Sequence, residues 1–401
     1  MFETKFSHYL SYGAADQHTV RELRGKYDGL LVPGTVAAFQ REGTGGFVLA
    51  LSATEAQTPY VIDPRSPLFQ QVIEEPKRAH EALKVILGLP EKYKPDPKKW
   101  DDALVKTVAE NWLNFNLNYK TQASAKFDKY AKRLGDVKPE AAGEPKLILA
   151  PYFAADSASD PWWGVSSRLF AQTLTKLNEQ EGDHSCMRVV AAKSVSAFAA
   201  LLPTLRDDKQ VVIWVSGLNE LETDAAGLAA YANAIKASAA SGKKLFALYG
   251  GFFAVLLSGV GLRGASHGIG YGESRNWEEL PQSGPPPARY YLPELHKYVR
   301  AELADVLWGA KVTHCTCPAC GENPPILLDY HDLMMHSVHC RAKEIEQWSS
   351  RAPSDAARRL EGEQEEFAAR LKKAKIQEVF KQATQRHMEH IPTWTRALSQ
   401  L

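Results

Sequence analysis

The sequence predicts an α/β protein: a (β/α)8 TIM-like barrel with a helical insertion and a C-terminal structural zinc module. Three observations lead to this fold class. Short, almost continuously apolar runs alternate with helical patterns, which is typical of parallel strands covered by helices on both faces. A lysine-rich helical stretch interrupts this alternation after residue 73. Four of the five cysteines lie between positions 315 and 340, where they indicate a metal site.

Eight segments have the character of buried strands, and eight parallel strands with helices between them form a barrel. In chain order they are 29–33, 59–63, 146–153, 188–194, 210–216, 244–249, 264–270 and 288–293. The run 46–51 is either an additional strand or a hairpin partner. An open doubly wound sheet is the alternative architecture. No Gly-x-Gly-x-x-Gly motif follows the first strand, which disfavours a dinucleotide-binding version of that sheet.

The alternation and its interruption divide the chain. The divisions are 1–73 for the first barrel strands, 74–145 for the helical insertion, 146–308 for the remaining barrel, 309–350 for the zinc-binding module and 351–401 for a C-terminal basic helix. This last helix is predicted to be long, with Ser354 as its N-cap. Its docking face would consist of Phe367, Leu371, Val379, Phe380 and Met388.

Composition and charge bear on the class of protein. The formal net charge is +1, so no overall field favours a nucleic acid or a membrane surface. The sequence has no long uninterrupted apolar run, and we expect no membrane contact. The N-terminus lacks the basic start and apolar core of a signal peptide. The clustered cysteines do not form a disulfide framework and Cys186 reads as a reduced thiol, which together predict a cytoplasmic location.

The cysteine cluster has the composition of a zinc site. Cys315, Cys317 and Cys320 supply three thiolates on one tight loop. A helix predicted to begin near Tyr330 carries His336, His339 and Cys340 on one face. One of these three donors completes a tetrahedral set, and a closed set of four protein ligands is typical of structural zinc. The spacing alone leaves all three open as the fourth ligand.

The motif Cys-x-Cys-x-x-Cys followed by a histidine-bearing helix resembles the zinc signature of the tRNA-guanine transglycosylase superfamily. Members of that superfamily are (β/α)8 barrels with the metal near the C-terminal end. The resemblance implies His339 as the fourth ligand, because the stretch from His339 to Ile345 is similar to the family's His-Asn segment. The short interval after Cys320 makes the branch that inserts 7-deazaguanine bases into DNA the closer match.

The resemblance implies that the chain exchanges guanine for a 7-deazaguanine in DNA or tRNA. In the tRNA enzymes a nucleophilic aspartate lies in an Asp-Cys-Val-x-Pro-Thr-Arg segment, whereas the corresponding region here, 263–275, has no aspartate. Two further functions therefore stay open. The chain is a non-catalytic barrel that binds nucleic acid or a protein partner, or it is an unrelated small-molecule enzyme that uses the loop 267–275.

Working residues of such barrels lie at the C-terminal ends of the strands. We expect Asp63 and Glu273 to supply the carboxylates of a base exchange and His267 to carry a proton. A structural ion pair with Arg65 is the alternative role of Asp63. The predicted substrate ligands are Arg65, Ser216, Asn219, Tyr249, Gly250, Gly251, Tyr271 and Arg275. Glycines 250 and 251 would offer backbone N–H groups to an anion, or else allow close helix packing.

Two features predict contact with nucleic acid. A basic stripe on the last helix would bind phosphates, although a solvated helix face is its alternative. The stripe consists of Arg370, Lys372, Lys373 and Lys375. Trp162 and Trp163 either stack on a base or form a buried aromatic anchor. The expected partners are DNA or tRNA, together with a protein partner or a second copy of the chain.

Overall fold

Eight parallel strands form a nearly closed barrel in the computed structural model, which describes residues 1–2, 5–13, 17–270, 272–278 and 288–401. The predicted substrate ligand Tyr271 lies outside the described residues. The barrel strands are β1 (Ser7–Ser11), β2 (Gly29–Pro33), β3 (Tyr60–Asp63), β4 (Leu147–Leu149) with its short continuation β5 (Ala154–Ala155), β6 (Ser185–Ala192), β7 (Gln210–Val215), β8 (Lys244–Ala247) and β9 (Leu262–Gly268). The spatial order is β3-β2-β1-β9-β8-β7-β6-β4, and all pairs are parallel. The predicted fold class is confirmed.

Side chains close the barrel between β3 and the β4–β5 segment. Ser66 Oγ donates a hydrogen bond to the carbonyl of Tyr152 at 2.7 Å and accepts one from its N–H at 2.9 Å. The Gln70 amide donates to Ala154 O at 2.9 Å and accepts from Ala154 N at 2.6 Å. The Gln70 side chain thus takes the place of a strand residue and satisfies backbone groups that a gap would leave unpaired.

The barrel contains seven of the eight predicted strands together with one strand that was not predicted. The segment 288–293, predicted as the eighth strand, forms β10 (Tyr290–Leu292), which pairs antiparallel with β11 (Lys297–Val299) in a separate sheet. The first barrel strand is instead β1, whose sequence Ser-His-Tyr-Leu-Ser lacks an apolar run although four of its five residues are buried. A strand whose buried positions carry polar side chains lacks the apolar pattern by which strands are predicted.

Sixteen helices are described around the barrel. They are α1 (Gln17–Glu22), α2 (Gly34–Phe39), α3 (Arg41–Ser52), α4 (Arg78–Leu87), α5 (Asp102–Leu117), α6 (Tyr119–Ala123), α7 (Phe127–Ala131), α8 (Pro161–Asn178), α9 (Val195–Leu201), α10 (Ala225–Ala240), α11 (Phe252–Leu256), α12 (Ala301–Gly309), α13 (Tyr330–Trp348), α14 (Pro353–Lys373), α15 (Glu378–Arg386) and α16 (His390–Leu398). Between β3 and β4 the regular structure is helical, from α4 to α7. No described helix combines the length and the apolar character that crossing a membrane requires.

The run 46–51 belongs to α3 and not to a strand. Every residue of this helix from Thr44 to Ser52 is buried, so the helix has no polar face over that length. A Cβ on Gly45 would lie 2.3 Å from the Cβ of Ala123, which shows how closely α6 approaches. A helix buried on all sides and a buried strand give the same apolar run, which explains the error.

The end of the chain forms three helices where one long helix was predicted. Helix α14 begins at Pro353, with Ala352 and not Ser354 at the N-cap position. The chain breaks at Ala374 before α15 and again before α16. Phe367, Leu371 and Met388 are buried as expected and Phe380 is half-buried, whereas Val379 is 59% exposed. The break changes the helical phase, so a face extrapolated from α14 fails at Val379.

Two apolar cores follow from the alternation of side chains along the strands. Tyr9, Leu31, Val61, Val212 and Phe246 belong to the core inside the barrel. Their neighbours along the strands belong to a larger core between the strands and the helices. The interior is therefore packed with side chains, and polar chemistry is confined to the ends of the strands.

The role of Gln70 in closing the barrel predicts a loss of stability on truncation. We expect Gln70→Ala to lower the free energy of unfolding by about 1–3 kcal/mol, because both backbone groups of Ala154 lose their partner in a buried place. Urea denaturation followed by circular dichroism measures this. Gln71→Ala is the matched control, since the Nε2 of Gln71 makes no hydrogen bond within the described residues. Equal effects of the two substitutions would contradict the closure by Gln70.

Candidate functional site

Three cysteines and one histidine form a group that fits a zinc ion. The Sγ atoms of Cys315, Cys317 and Cys320 and a ring nitrogen of His336 all lie within 4.8 Å of one another. His336 Nδ1 is 3.7, 3.5 and 3.1 Å from these sulfurs in that order. A tetrahedral zinc ion with ordinary bond lengths has ligand-to-ligand distances of about 3.5–3.8 Å. The donor types and their spacing therefore suit Zn²⁺ held in a closed site.

The loop that carries the cysteines is shaped by its own backbone. The N–H groups of Cys320 and Gly321 both donate to the carbonyl of Cys317, at 3.0 and 2.9 Å. Gly321 has a φ of +54°, a conformation that glycine adopts without steric cost. The N–H of Cys317 points at Cys315 Sγ, 3.4 Å away. These contacts turn the three side chains toward one point.

His336 is oriented by β10. Its Nε2 lies 2.6 Å from the carbonyl oxygen of Tyr291, an acceptor, so Nε2 carries the proton and Nδ1 presents its lone pair to the sulfurs. The ring stacks on that of Tyr290, with centroids 4.2 Å apart. A backbone carbonyl that fixes the histidine tautomer in this way is typical of metal-ligating histidines.

The fourth member of the metal group corrects the sequence analysis. His339 was predicted from the family resemblance, but the structure places His336 among the sulfurs. His339 is half-buried and lines a cavity beside the site. The carbonyl of Tyr291 selects His336, and this contact spans 45 residues of sequence. The three cysteines lie in the group as predicted.

Asp63 lies at the C-terminal end of β3 and is completely buried. Its Oδ1 accepts hydrogen bonds from Tyr152 Oη at 2.8 Å and from the Arg65 N–H at 3.1 Å. Its Oδ2 lies 2.7 Å from Arg65 Nε. The ion pair considered as the alternative role of Asp63 is therefore present. Arg65 has a φ of +53°, which turns the chain back so that its guanidinium meets the carboxylate.

Aromatic side chains connect Asp63 to two other predicted residues. The Arg65 guanidinium lies 5.9 Å from the ring centroid of Tyr249, and Tyr249 Oη accepts a hydrogen bond from Arg275 Nη1 at 3.2 Å. Trp214 packs 5.7 Å from Tyr249 and also faces the Arg275 guanidinium. Asp63, Arg65, Tyr249 and Arg275 thus converge at one end of the barrel.

The segment 272–278 is tied to the end of β7. The carbonyl of Arg275 accepts hydrogen bonds from Trp214 Nε1 at 3.2 Å and from Gly217 N at 3.0 Å. Ser216 Oγ lies 3.0 Å from Asn276 Oδ1 and accepts from the N–H of Trp277. Ser216, a predicted substrate ligand, therefore anchors this segment. Asn219 accepts a hydrogen bond from Leu221 N and shapes its own turn.

Glu273 belongs to a second buried group of charges. Its Oε1 lies 2.6 Å from Arg341 Nη2, and Arg341 Nη1 lies 3.2 Å from Glu344 Oε2. Burial raises the pKa of Glu273. No contact between Asp63 and Glu273 occurs among the described residues, so the two predicted carboxylates lie in separate groups.

The glycine pair after β8 has a structural partner. The N–H groups of Gly251, Phe253 and Ala254 donate to the Glu220 carboxylate at 2.9, 2.8 and 3.1 Å. Gly250 N donates to Ser266 O. The prediction that Gly250 and Gly251 offer their N–H groups to an external anion is therefore wrong, because Glu220 occupies the N–H of Gly251 and the carbonyl of Ser266 occupies that of Gly250.

Glu220 was missed by the sequence analysis, and its environment is unusual. A Cβ on Gly251 would lie 2.6 Å from Glu273 Oε2 and 2.8 Å from Glu220 Oε2, so only glycine leaves room for both carboxylates. Burial, followed by the nearby charge of Glu273, raises the pKa of Glu220 to about 7. The one signal in the sequence that could have pointed to Glu220 is its position shortly after the end of a predicted strand. Arg341 and Tyr152, also missed, carried no signal because their contacts are distant in sequence.

His267 pairs with a histidine on the strand that was not predicted. Its Nε2 lies 2.7 Å from His8 Nε2, and its Nδ1 lies 2.8 Å from the carbonyl of Gly268. Burial, followed by the charge of Arg341, lowers the pKa of His267 to about 3. His267 is therefore uncharged at neutral pH and contacts neither Asp63 nor Glu273 among the described residues. His267 thus lies in the wall of the barrel beside His8.

The predicted nucleic-acid contacts have mixed outcomes. Arg370, Lys372, Lys373 and Lys375 are all exposed, at and just beyond the C-terminal end of α14. Arg370 also donates from Nε to Val312 O at 3.1 Å. Trp162 and Trp163 are buried, and Trp162 packs 4.5 Å from Phe153. This confirms the alternative of an aromatic anchor.

No protein-family model matches this sequence, and no curated protein matches it significantly. A function for the chain must therefore rest on the chemistry of its own residues.

The raised pKa of Glu220 predicts a pH dependence of stability. The folded protein holds this proton up to about pH 7, whereas the unfolded chain releases it near the ordinary value of 4.5. The contribution of Glu220 is thus fully present below pH 4.5 and is lost as the pH rises through 7, by roughly 3 kcal/mol. Urea denaturation between pH 4.5 and 7.5 should show a stability difference between wild type and Glu220→Gln that shrinks by this amount.

The control for this series is Glu361→Gln, which removes an exposed glutamate on α14. It shows how much of the change in stability comes from losing a carboxyl group that is not buried. A difference between wild type and Glu220→Gln that stays constant with pH would show that Glu220 is ionised throughout.

Proposed function

We propose that this chain is a barrel enzyme that exchanges the base of a nucleoside in DNA or tRNA, replacing guanine by a 7-deazaguanine in the manner of the guanine transglycosylases. One observation carries the proposal. Asp63 holds a buried carboxylate at the C-terminal end of a barrel strand, where enzymes of this fold perform their chemistry. Around it lie an arginine, two tyrosines and a tryptophan.

Asp63 supplies the nucleophile in this proposal. Its carboxylate attacks the anomeric carbon, the N-glycosidic bond breaks, and the departing base keeps the bonding electron pair and takes up a proton. The incoming base then loses a proton, attacks the same carbon and releases Asp63. Tyr152 and Arg65 hold the carboxylate in place, with contacts of 2.8 and 2.7 Å. The family's aspartate motif is missing from 263–275, and Asp63 takes over its role here.

Glu273 handles the proton of the departing base. Burial raises its pKa, which is the direction that a general acid requires. It lies two residues before Arg275, and Arg275 contacts Tyr249 beside the Asp63 group. The segment 272–278 therefore connects the two groups of charges at the end of the barrel.

The surroundings of Asp63 suit a nucleotide. Tyr249, which is half-buried, offers a ring on which a base stacks, and Arg275 offers a guanidinium to a phosphate. The exposed cluster Arg370, Lys372, Lys373 and Lys375 would bind phosphates farther along the polymer. Nucleic acid is thus the proposed partner, and a second copy of the chain or another protein would extend the surface. The reduced cysteines fit a cytoplasmic enzyme.

Zinc has a structural role in this proposal. Cys315, Cys317, Cys320 and His336 would hold it, and four protein ligands leave no position for a reacting water. Helix α13 carries His336 and also Arg341, the partner of Glu273. The metal therefore fixes the helix that positions Glu273.

The decisive experiment measures incorporation of labelled guanine and 7-deazaguanine into tRNA and into duplex DNA by the zinc-loaded protein. Wild type should label one of the two polymers. Asp63→Asn keeps the size of the side chain, removes the nucleophile and should lower the rate at least about a hundredfold. Glu273→Gln should slow the reaction by removing the acid. Asp183→Asn, at a carboxylate that is 97% exposed, is the control.

Wild-type activity in Asp63→Asn would contradict the role of Asp63. Folded, zinc-loaded wild type that labels neither polymer would contradict base exchange and favour the barrel that only binds. Replacement of the basic cluster by glutamine should weaken nucleic-acid binding and reduce its salt dependence. Unchanged binding in that variant would favour a small-molecule substrate.

A further inference from the structure

The metal group is accompanied by one donor more than a tetrahedral site uses. Cys340 follows His336 by one turn of α13, which places the two side chains on the same face. Its Sγ lies 3.6 Å from His336 Nδ1 and is in contact with the thiol of Cys315. The residue is buried, with 6% of its surface exposed. A thiol in this position is near enough to the metal ligands to replace one of them.

The distances indicate which ligand Cys340 would replace. Its Sγ is almost equally far from both ring nitrogens of His336, 3.6 Å from Nδ1 and 3.7 Å from Nε2. The sulfur therefore lies alongside the imidazole and not on the line of the Nδ1 lone pair. Imidazole and thiol approach the three cysteines of the loop from the same helix and the same side. A tetrahedral ion that already binds the three cysteines of the loop has room for only one of the two.

The cavity beside the site distinguishes the donors. It has a volume of about 580 Å³, and Cys315, Cys317 and Cys340 line it. His336 and Cys320 are 0% and 1% exposed and do not belong to its lining. A metal ion or a chelator that arrives through this cavity meets Cys340 before it meets the histidine. Cys340 thus lies on the side of the site that faces the cavity.

We propose that Cys340 is a reserve ligand that takes the place of His336, so that the site binds metal either through three thiolates and an imidazole or through four thiolates. In the exchange the bond between the metal and Nδ1 breaks, the Cys340 thiol releases its proton to solvent, and a bond from the metal to Sγ forms. The reserve ligand would keep the ion bound when His336 dissociates from it. This inference concerns the metal centre and is independent of base exchange.

Cobalt(II) titration of the full-length, metal-free protein tests the proposal, because the sulfur-to-cobalt charge-transfer band grows with the number of thiolates bound. His336→Ala should bind one Co²⁺ per chain and give a stronger band than wild type, since it gains a fourth thiolate. His336→Ala combined with Cys340→Ser should bind Co²⁺ at least about tenfold more weakly than His336→Ala alone. Cys186→Ser, at a cysteine outside the group, is the control and should match wild type.

Equal cobalt affinities of the single and double variants would overturn the proposal, as would a band in His336→Ala no stronger than that of wild type. Where His336→Ala fails to fold, zinc release from otherwise intact protein decides. With a chelating dye in excess, Cys340→Ser should lose zinc several-fold faster than wild type and Cys186→Ser. Equal rates of release in all three proteins would rule out the reserve ligand.

Discussion

The arrangement of the candidate site depends on the two buried ion pairs that the guanidinium of Arg341 makes. Arg341 is 2% exposed and its guanidinium lies between Glu273 and Glu344, at 2.6 and 3.2 Å. A buried arginine without partners would be strongly destabilising, and each of these carboxylates without the arginine would be as well. The three groups therefore have to be ordered together. They join α13 to the segment 272–278, which in turn carries Arg275 toward Tyr249 and the surroundings of Asp63.

The metal group and this charge cluster share two elements. Tyr291 gives its backbone carbonyl to His336 Nε2 and its hydroxyl group to Glu344, at 2.6 and 2.8 Å. Helix α13 carries His336 on one side of this tyrosine and Arg341 with Glu344 on the other. The orientation of His336 and the orientation of the Glu344 carboxylate are thus set by one residue of β10. A metal that holds α13 would consequently also hold the partner of Glu273.

The sequence predicted those features that depend on one type of residue at a fixed spacing. The Cys-x-Cys-x-x-Cys motif identified three members of the group that could hold a metal, and apolar runs identified seven of the eight barrel strands. The strand β1 was missed because His8 is buried against His267, a contact between the two ends of the barrel sequence. The helix α3 looked like a strand because it is buried on all sides. Both errors arise because tertiary contacts bury residues in a way that the local sequence pattern does not show.

The same reasoning explains the mixed outcome for the site. Residues at strand ends could be named, and Asp63 with Arg65, Tyr249 and Arg275 do converge. The choice of His336 over His339 depends on the carbonyl of Tyr291, and the capping of α11 by Glu220 depends on a contact across 31 residues. No local pattern encodes either one.

Amide hydrogen exchange of the protein before and after zinc removal by a chelator, read by mass spectrometry, tests directly whether the metal positions Glu273. We expect faster exchange in α13 and, together with it, in the segments 272–278 and 290–299, because Arg341 and Tyr291 connect them. Faster exchange confined to the cysteine loop and α13, with 272–278 as protected as before, would show that the metal does not position Glu273.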